Sequence, residues 1–357
     1  MKKKILIIGG TGIAGKCILE YLSSFPHLCE ITTGSRGNQM IDKKIEHVMI
    51  DISKAKEYES VIKQFDIIIL ASGPFSNAGT EIYKLCLKYD VICIDINDDY
   101  THCESVLEIK NKEEFSQKGT VFTGMGLCPG LTTYMLKYAA LHLGESPLEA
   151  QLRIYFGAGV ASGIASINNM FEGFKHDPFI LTNRNHQRVN TSRYQKGVTF
   201  TFDGKHQNMP LIFFSSPEVL TLRQDPLFYR LLDFDAAFHL QHFSKGLAPI
   251  LRYSSKMRKW FCKLALKKQN QLDRNSMNEK SVLISTIVKG ENSCKKSSLQ
   301  FESSFKLTGI FSTIITILVL EGKIPICPGI FCLEDISIDL KLINEKLKKF
   351  GVNIFIK

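Results

Sequence analysis

The sequence lacks several signals that would assign it to a particular class of protein. None of its ten cysteines forms a Cys-x-x-Cys pair, which favours reduced thiols in a cytoplasmic protein over a disulfide framework. No tyrosine is followed four residues later by lysine, which argues against the tyrosine–lysine mechanism of short-chain dehydrogenases. No signal peptide is evident, because Lys2–Lys4 precede only a short apolar run. The apolar stretch Leu307–Leu320 is too short for a confident membrane span and predicts a buried helix.

The composition is that of a folded protein with an excess of positive charge. Hydrophobic residues make up 44% and charged residues 22% of the chain, which is too apolar for disorder. The formal net charge of +10 suits anionic ligands, and also weak attraction to nucleic acids or anionic membranes. No basic motif with interleaved aromatic residues is visible, so we expect no nucleic-acid partner. The basic stretch Arg252–Lys268 has amphipathic helical character, and a solvated helix face is favoured there over a membrane anchor.

The most informative segment, residues 4–15, reads Lys-Ile-Leu-Ile-Ile-Gly-Gly-Thr-Gly-Ile-Ala-Gly. The apolar run Ile5–Ile8 predicts a buried strand, and the spaced glycines predict a tight turn into a helix. In such a turn, glycines make the bend, let the main chain approach a pyrophosphate and let the helix pack on the strand. The helix start offers N–H groups and a partial positive charge to the phosphates. We therefore expect a dinucleotide, held by Gly9, Gly10, Thr11, Gly12, Ile13 and Gly15.

The first 125 residues alternate apolar runs with helical patterns, which is typical of a parallel sheet covered on both faces. Strands are predicted at 4–8, 30–33, 47–50, 67–71, 91–95 and 120–123, and helices at 12–24, 55–63, 79–88 and 104–118. After about residue 148, strands at 152–156, 198–202, 281–289 and 298–306 favour a mixed or antiparallel sheet, and a last helix is predicted at 339–351. The predicted fold class is α/β: an N-terminal doubly wound Rossmann sheet and a second α+β domain.

The end of the second strand decides which dinucleotide is preferred. An NAD site usually places a carboxylate there for the ribose hydroxyls, whereas an NADP site supplies arginine for the 2′-phosphate. Here the chain reads Thr-Thr-Gly-Ser-Arg over residues 32–36. Because Ser35 and Arg36 both donate hydrogen bonds and no acid is present, NADP is favoured over NAD. Arg36 as an ordinary loop residue stacking on adenine is the alternative.

Two further strand ends carry candidate site residues. After the fourth strand, small residues would allow the main chain to approach the nicotinamide ribose closely. The candidate residues are Ala71, Gly73, Pro74 and Phe75. An ordinary Gly-Pro turn is the alternative. After the fifth strand, Asp95 and Asp99 are candidates for substrate binding, and Asp98 and His102 for proton transfer. Capping of the next helix by Asp98 or Asp99 is an equally good interpretation.

The predicted sixth strand ends in a loop rich in glycine and proline, Gly124–Gly130. Pro129 and Gly130 are candidates for substrate binding, and a hinge is the alternative. His239 and His242 would share a helix face, but no third ligand is near them in the sequence, so we expect no metal site.

Together these segments resemble the saccharopine dehydrogenase/reductase superfamily. The resemblance rests on the glycine segment, on Ala-Ser-Gly-Pro-Phe-Ser at 71–76 and on Val-Ile-Cys-Ile-Asp at 91–95. It continues loosely through 124–130, Ser-Pro-Glu-Val-Leu-Thr-Leu at 216–222 and the segment from Leu320 to Glu334. After Asp95 the chain departs from the Asp-x-x-Gly-Glu of many members, so no catalytic acid is carried over from the family.

The resemblance implies an NADP-dependent oxidoreductase that transfers hydride to or from a C=N or C=O carbon of a small amino-acid-derived or related substrate. It also implies a dinucleotide-binding domain at 1–130, a substrate and dimerisation domain at 131–310, a C-terminal return segment at 311–357 that packs near the first domain, and a homodimer. The alternatives are a sensor or scaffold that binds NADP without turnover and a membrane-surface enzyme anchored by Arg252–Lys268.

Overall fold

The computed structural model describes residues 2–37, 44–75, 78–110, 118–157, 177–189, 198–240, 260, 264 and 281–357. The chain divides into two compact units. The first comprises Met1–Thr133 and Phe305–Gly351, and the second comprises Tyr134–Ser304 and Val352–Lys357. The basic stretch Arg252–Lys268 lies outside the described residues, apart from the exposed Trp260 and Leu264.

The first part of the chain alternates strands and helices, as predicted. In order, the elements are β1 (Lys3–Ile8), α1 (Ile13–Leu22), β2 (Cys29–Ser35), β3 (Glu46–Met49), a 3₁₀ helix (Ile52–Tyr58), α2 (Glu59–Ile62), β4 (Ile67–Leu70), α3 (Glu81–Lys88), β5 (Ile92–Asp95), α4 (Tyr100–Lys110), β6 (Thr120–Phe122) and α5 (Leu131–Leu141).

The rest of the chain contributes mainly strands. They are β7 (Glu149–Phe156), β8 (Phe179–Thr182), β9 (Asn185–Arg188), β10 (Thr199–Phe200), β11 (Met209–Pro210) and β12 (Ile212–Phe213), then α6 (Glu218–Thr221), 3₁₀ turns at Leu222–Gln224 and Pro226–Phe228, β13 (Asp233–Leu240), β14 (Val282–Lys289), β15 (Cys294–Phe301), α7 (Ser304–Leu320), β16 (Gly329–Phe331), α8 (Leu340–Lys349) and β17 (Phe355–Ile356).

The first unit is built on a seven-stranded sheet in the order β3-β2-β1-β4-β5-β6-β16, with every neighbouring pair parallel. Its central strands are buried on both faces, which explains their unbroken apolar sequences. The chain crosses from β3 to β4 over β1, so the strand order reverses beside β1. Ligands of open parallel sheets bind beyond the carboxyl ends of the strands at such a reversal. The predicted Rossmann sheet is confirmed.

The helix predicted from the apolar stretch Leu307–Leu320 is confirmed as α7, and its residues from Leu307 to Val319 are almost all buried. A Cβ at Gly309 would lie 2.7 Å from Cβ of Cys17, so α7 packs very closely on α1. Among the described residues, no helix combines the length and the apolar character needed to cross a membrane. The predicted last helix is α8, which Asp339 caps by accepting a hydrogen bond from the Lys341 N–H at 2.9 Å.

The second unit contains a mixed eight-stranded sheet in the order β17-β15-β14-β7-β13-β8-β9, to which β12 is added along β13. Strands β7 and β13 run parallel, and the other pairs are antiparallel. The predicted mixed sheet is therefore confirmed. One strand prediction was wrong in its bounds: β15 ends at Phe301, and residues from Ser304 onward are helical. Strand β15 begins earlier than its apolar pattern indicates, because it pairs with β14 in a hairpin that places Cys294 opposite Lys289.

Candidate functional site

The loop between β1 and α1 has the close contacts that a glycine turn requires. Gly9 has a positive φ of 88°, and a Cβ there would lie 2.6 Å from the carbonyl oxygen of Ala71. A Cβ at Gly15 would lie only 2.1 Å from the carbonyl oxygen of Gly9. A side chain at Gly9 would overlap the main chain after β4, and one at Gly15 would force α1 away from the end of β1, so both glycines are required by the fold itself.

Gly12 is in a different situation. It is exposed, its φ is −75°, and a Cβ there would meet only the Gly9 carbonyl oxygen, at 3.2 Å. Among the described residues, no side chain caps α1 at this position. The N–H groups of the first turn therefore remain available for an anion, with the helix dipole adding a partial positive charge. Beside them, Thr11 is half-buried and Ile13 is 40% exposed.

The end of β2 carries Ser35 and the exposed Arg36, and both are in the first unit with the glycine loop. The Ser35 hydroxyl donates to the carbonyl oxygen of Gly37 at 2.8 Å. The pKa of Asp51 is lowered mainly by a hydrogen bond from the Ser53 hydroxyl and, to a lesser extent, by the positive charge of Arg36 nearby. The strand edge therefore presents a hydroxyl and a cation without a carboxylate of its own.

Sequence reasoning did not identify His47, which contacts Ser35. Its Nε2 lies 3.1 Å from the Ser35 hydroxyl oxygen and 2.9 Å from the Gly37 carbonyl oxygen, and its Nδ1 lies 3.0 Å from the Thr33 hydroxyl oxygen. The register of β2 on β3 places His47 opposite Thr33. The signal that could have revealed it is the alternation of β2, which puts Thr33 and Ser35 on one face.

After β4, the residues predicted to contact the cofactor differ in exposure. Gly73 is exposed and Pro74 is partly exposed, whereas Ala71 and Phe75 are buried. Phe75 belongs to the core of the first unit, and its ring lies 5.8 Å from the ring of His102, centroid to centroid. The exposed edge of this turn is thus Gly73 and Pro74.

Asp95, at the end of β5, is completely buried. Its Oδ1 accepts hydrogen bonds from the N–H groups of Asn97, at 2.9 Å, and Gly124, at 2.7 Å. The buried hydroxyls of Tyr83 and Thr123 both lie close to this carboxylate, and the Thr123 hydroxyl favours its charged form. Desolvation raises the pKa of Asp95, although the two N–H groups act in the opposite direction. Asp95 thus ties the loop after β5 to the loop after β6.

Asp98 and Asp99 have different environments. The Asp99 carboxylate accepts a hydrogen bond from the His102 N–H at 2.8 Å, which makes it a cap of α4. Asp98 is exposed, but desolvation by the surrounding protein and the charges of Asp99 and Asp95 raise its pKa to about 7. Because its side chain is open to solvent, water screens part of this effect. A carboxyl group with a pKa near neutrality suits proton transfer.

His102 is buried, and both of its ring nitrogens are engaged. Nε2 lies 3.1 Å from the carbonyl oxygen of Gly79, which only accepts, so Nε2 carries the hydrogen. The Asn97 side-chain oxygen accepts the Asp99 N–H, which leaves its amide nitrogen to donate to Nδ1 of His102 at 2.9 Å. These bonds fix the orientation of the imidazole ring inside the first unit.

The loop after β6 is held by main-chain contacts. Gly126 and Gly130 form an isolated bridge, and the Leu131 N–H donates to the Gly126 carbonyl at 3.0 Å. Pro129 and Gly130 are both buried.

In the described ranges, no three His, Cys, Asp or Glu side chains are grouped so that they could hold a metal ion; His242 falls outside those ranges.

These placements bring the predicted residues of β1, β2, β4, β5 and β6 to the carboxyl edge of one parallel sheet. Residues 5–122, which include nearly all of them, match the family model described as Saccharopine dehydrogenase NADP binding domain. The predicted resemblance is confirmed. The matched segment begins in β1 and ends with β6.

One solved structure supports the same fold, and a second is more distantly similar. Over 99% of both chains, the structure is similar to apo saccharopine dehydrogenase (L-Glu forming) from Saccharomyces cerevisiae, with a TM-score of 0.65 and 13% identity. A mutant meso-dapdh from Clostridium tetani E88, solved with DAP, matches over 98% of this chain and 99% of its own at a TM-score of 0.48 and 16% identity. No curated protein matches the sequence.

Proposed function

We propose that this protein is an NADP-dependent oxidoreductase of the saccharopine dehydrogenase type. It would transfer hydride to or from a C=N or C=O carbon of a small amino-acid-derived or related substrate. The observation that carries the proposal is the start of α1, where Gly12 is exposed and the first-turn N–H groups have no side-chain cap among the described residues. This arrangement suits a pyrophosphate.

In this proposal the cofactor is held by the main chain at its diphosphate and by side chains at its adenosine end. Gly9, Gly10, Thr11, Gly12, Ile13 and Gly15 form the first part of the site. Ser35 and Arg36 would donate to the 2′-phosphate, which favours NADP over NAD. Ala71, Gly73, Pro74 and Phe75 would line the nicotinamide side, where Gly73 and Pro74 offer the exposed surface.

Bound NADPH would supply the hydride. Of the two candidates for proton transfer, the geometry favours Asp98, because Asp98 is exposed and its pKa is raised to about 7. His102 donates to one partner and accepts from another, so its place in the proposal is to support Phe75 and the turn after β5. Asp95, Asp99, Pro129 and Gly130 remain candidates for shaping the substrate site, and a homodimer in the cytoplasm remains part of the proposal.

A second function, NADP binding without turnover, is favoured by one observation. His102 has no ring nitrogen left for proton transfer, since both nitrogens are engaged within the first unit. A sensor or scaffold needs the glycine loop and the end of β2 but no acid or base. Binding of NADPH with no hydride exchange to any imine or carbonyl substrate would support this alternative.

The cofactor proposal is tested by titrating the purified chain with NADPH and NADH. We expect NADPH to bind more tightly. Gly12→Val should abolish binding, because its branched side chain would occupy the exposed path beside the first-turn N–H groups. Gly204→Val is a matched control, since a Cβ at Gly204 meets nothing within 4 Å. Failure of wild-type protein to bind either nucleotide, or a clear preference for NADH, would contradict the proposal.

A further inference from the structure

His47 and its partners form a polar cluster on the edge of the sheet, beside the proposed cofactor site. The cluster consists of Thr33, Ser35, the Gly37 carbonyl and His47. It adjoins the glycine loop, since a Cβ at Gly10 would lie 2.9 Å from the Thr33 methyl carbon. Its polar atoms are therefore on the same side of β2 as the turn that would hold the diphosphate.

The hydrogen atoms of this cluster can be assigned from its acceptors. A carbonyl oxygen only accepts, so the Ser35 hydroxyl hydrogen and the His47 Nε2 hydrogen both point toward Gly37, at 2.8 Å and 2.9 Å. On the other side of the ring, Nδ1 faces the Thr33 hydroxyl oxygen at 3.0 Å. Thr33 in turn can donate to the Glu46 carbonyl oxygen at 3.3 Å.

Two donors thus converge on one carbonyl oxygen at the tip of β2. The carbonyl oxygen has two lone pairs and can accept both hydrogens, but a phosphate group would offer each donor a charged oxygen, which makes a stronger hydrogen bond. Arg36 is exposed between Ser35 and Gly37 in the sequence and adds a fixed positive charge at the same place. His47 itself is half-buried, so it is partly open to solvent while its contacts with Thr33 and the Gly37 carbonyl hold it in position.

We infer that His47 is a third donor of the 2′-phosphate site and a determinant of the preference for NADP. The inference rests on the proposed function and adds a residue to it. On phosphate binding, the Nε2 hydrogen of His47 and the hydroxyl hydrogen of Ser35 turn from the Gly37 carbonyl to phosphate oxygens. NADH lacks the 2′-phosphate, so its binding does not depend on this hydrogen bond.

The test compares ligands that differ only in the 2′-phosphate. Dissociation constants are measured for NADPH and NADH, and for 2′,5′-ADP and 5′-AMP, in wild type and in His47→Ala. Loss of a hydrogen bond to a charged group predicts about ten- to hundredfold weaker binding of NADPH and 2′,5′-ADP. Binding of NADH and 5′-AMP should be unchanged. His47→Gln retains one amide donor and should lose less.

Controls separate this role from a structural one. His27→Ala removes an exposed histidine before the start of β2, at the opposite end of that strand, and should leave all four constants unchanged. Thermal unfolding shows whether each variant is folded. If folded His47→Ala weakens NADPH and NADH equally, or weakens neither, the inference is wrong while the proposed function survives. If wild-type protein does not prefer NADPH, the proposed cofactor and this inference fail together.

Discussion

At the scale of single residues, the three aspartates after β5 have separate environments although they are neighbours in sequence. Asp95 is buried and holds two main-chain N–H groups, Asp99 caps α4, and Asp98 is exposed. The negative charges of Asp99 and Asp95 make ionisation of Asp98 less favourable, in addition to desolvation. The folded protein therefore retains the Asp98 proton to higher pH than an unfolded chain would.

This difference gives a prediction for Asp98. In carbon-13 NMR of the aspartate side chains, one carboxyl group should titrate near pH 7, and Asp98→Asn should remove that titration. Asp99→Asn should move its midpoint to lower pH, because asparagine still caps the helix but carries no charge. Since the folded pKa is raised, the contribution of Asp98 to stability is complete below its ordinary pKa of 3.8 and declines as pH rises toward 7. A midpoint that Asp99→Asn leaves unchanged would contradict this account.

At the scale of elements, the glycine loop contains two kinds of position: Gly9 and Gly15 are required by the fold, and Gly12 is available to a ligand. Gly15→Ala places a methyl group 2.1 Å from the Gly9 carbonyl oxygen, where only main-chain movement can relieve the overlap. We expect it to lower the free energy of unfolding by about 1–3 kcal/mol, measured by urea denaturation. Gly204→Ala, in open space, should have little effect. Equal stability of the two variants would show that α1 is not packed on β1 as described.

Most elements of the first unit could be predicted from the sequence, because buried parallel strands have short apolar sequences that are bounded by glycines and polar turns. Two errors concern features that no short apolar pattern determines. Strand β2 continues to Ser35 because Ser35 pairs with Met49 of β3, and no local pattern in residues 29–35 contains that partner. The helix predicted at 55–63 is a 3₁₀ helix followed by one short α-helical turn, since Asp51 caps the segment at Ser53 and Lys54 is not helical.

The candidate site was predictable to the same extent. Glycine spacing and the missing carboxylate after Thr33 predict a cofactor loop and its continuation at the end of β2, because these signals depend on residues adjacent in sequence. His47 is twelve residues from Ser35 and fourteen from Thr33, and only the register of β2 on β3 brings them together. The engagement of His102 by Gly79 and Asn97 likewise depends on how α3, β5 and α4 meet.

At the scale of the whole molecule, ligand binding and stability are linked. A ligand that binds only the folded state stabilises it by about 2.7 kcal/mol at a concentration one hundred times its dissociation constant. At equal concentrations below saturation, NADPH should therefore raise the midpoint of thermal unfolding more than NADH does. Gly12→Val should unfold at a midpoint that neither nucleotide changes. An equal shift with both nucleotides would mean that the end of β2 does not distinguish them.

The net charge of +10 provides a second, diffuse attraction for an anionic cofactor, and salt separates it from direct contact. The Debye length falls from about 10 Å at 0.1 M to about 3 Å at 1 M, so attraction from distant lysines is lost at high salt. Affinity for NADPH and NADH should fall over this range, while the proposed preference for NADPH should persist if Ser35 and Arg36 contact the phosphate directly. Arg36→Met should reduce that preference at 1 M. Lys205→Met removes the same charge from an exposed residue of the second unit and should leave the preference for NADPH unchanged. If the preference of the wild-type protein disappears at high salt, selectivity would be due to net charge alone.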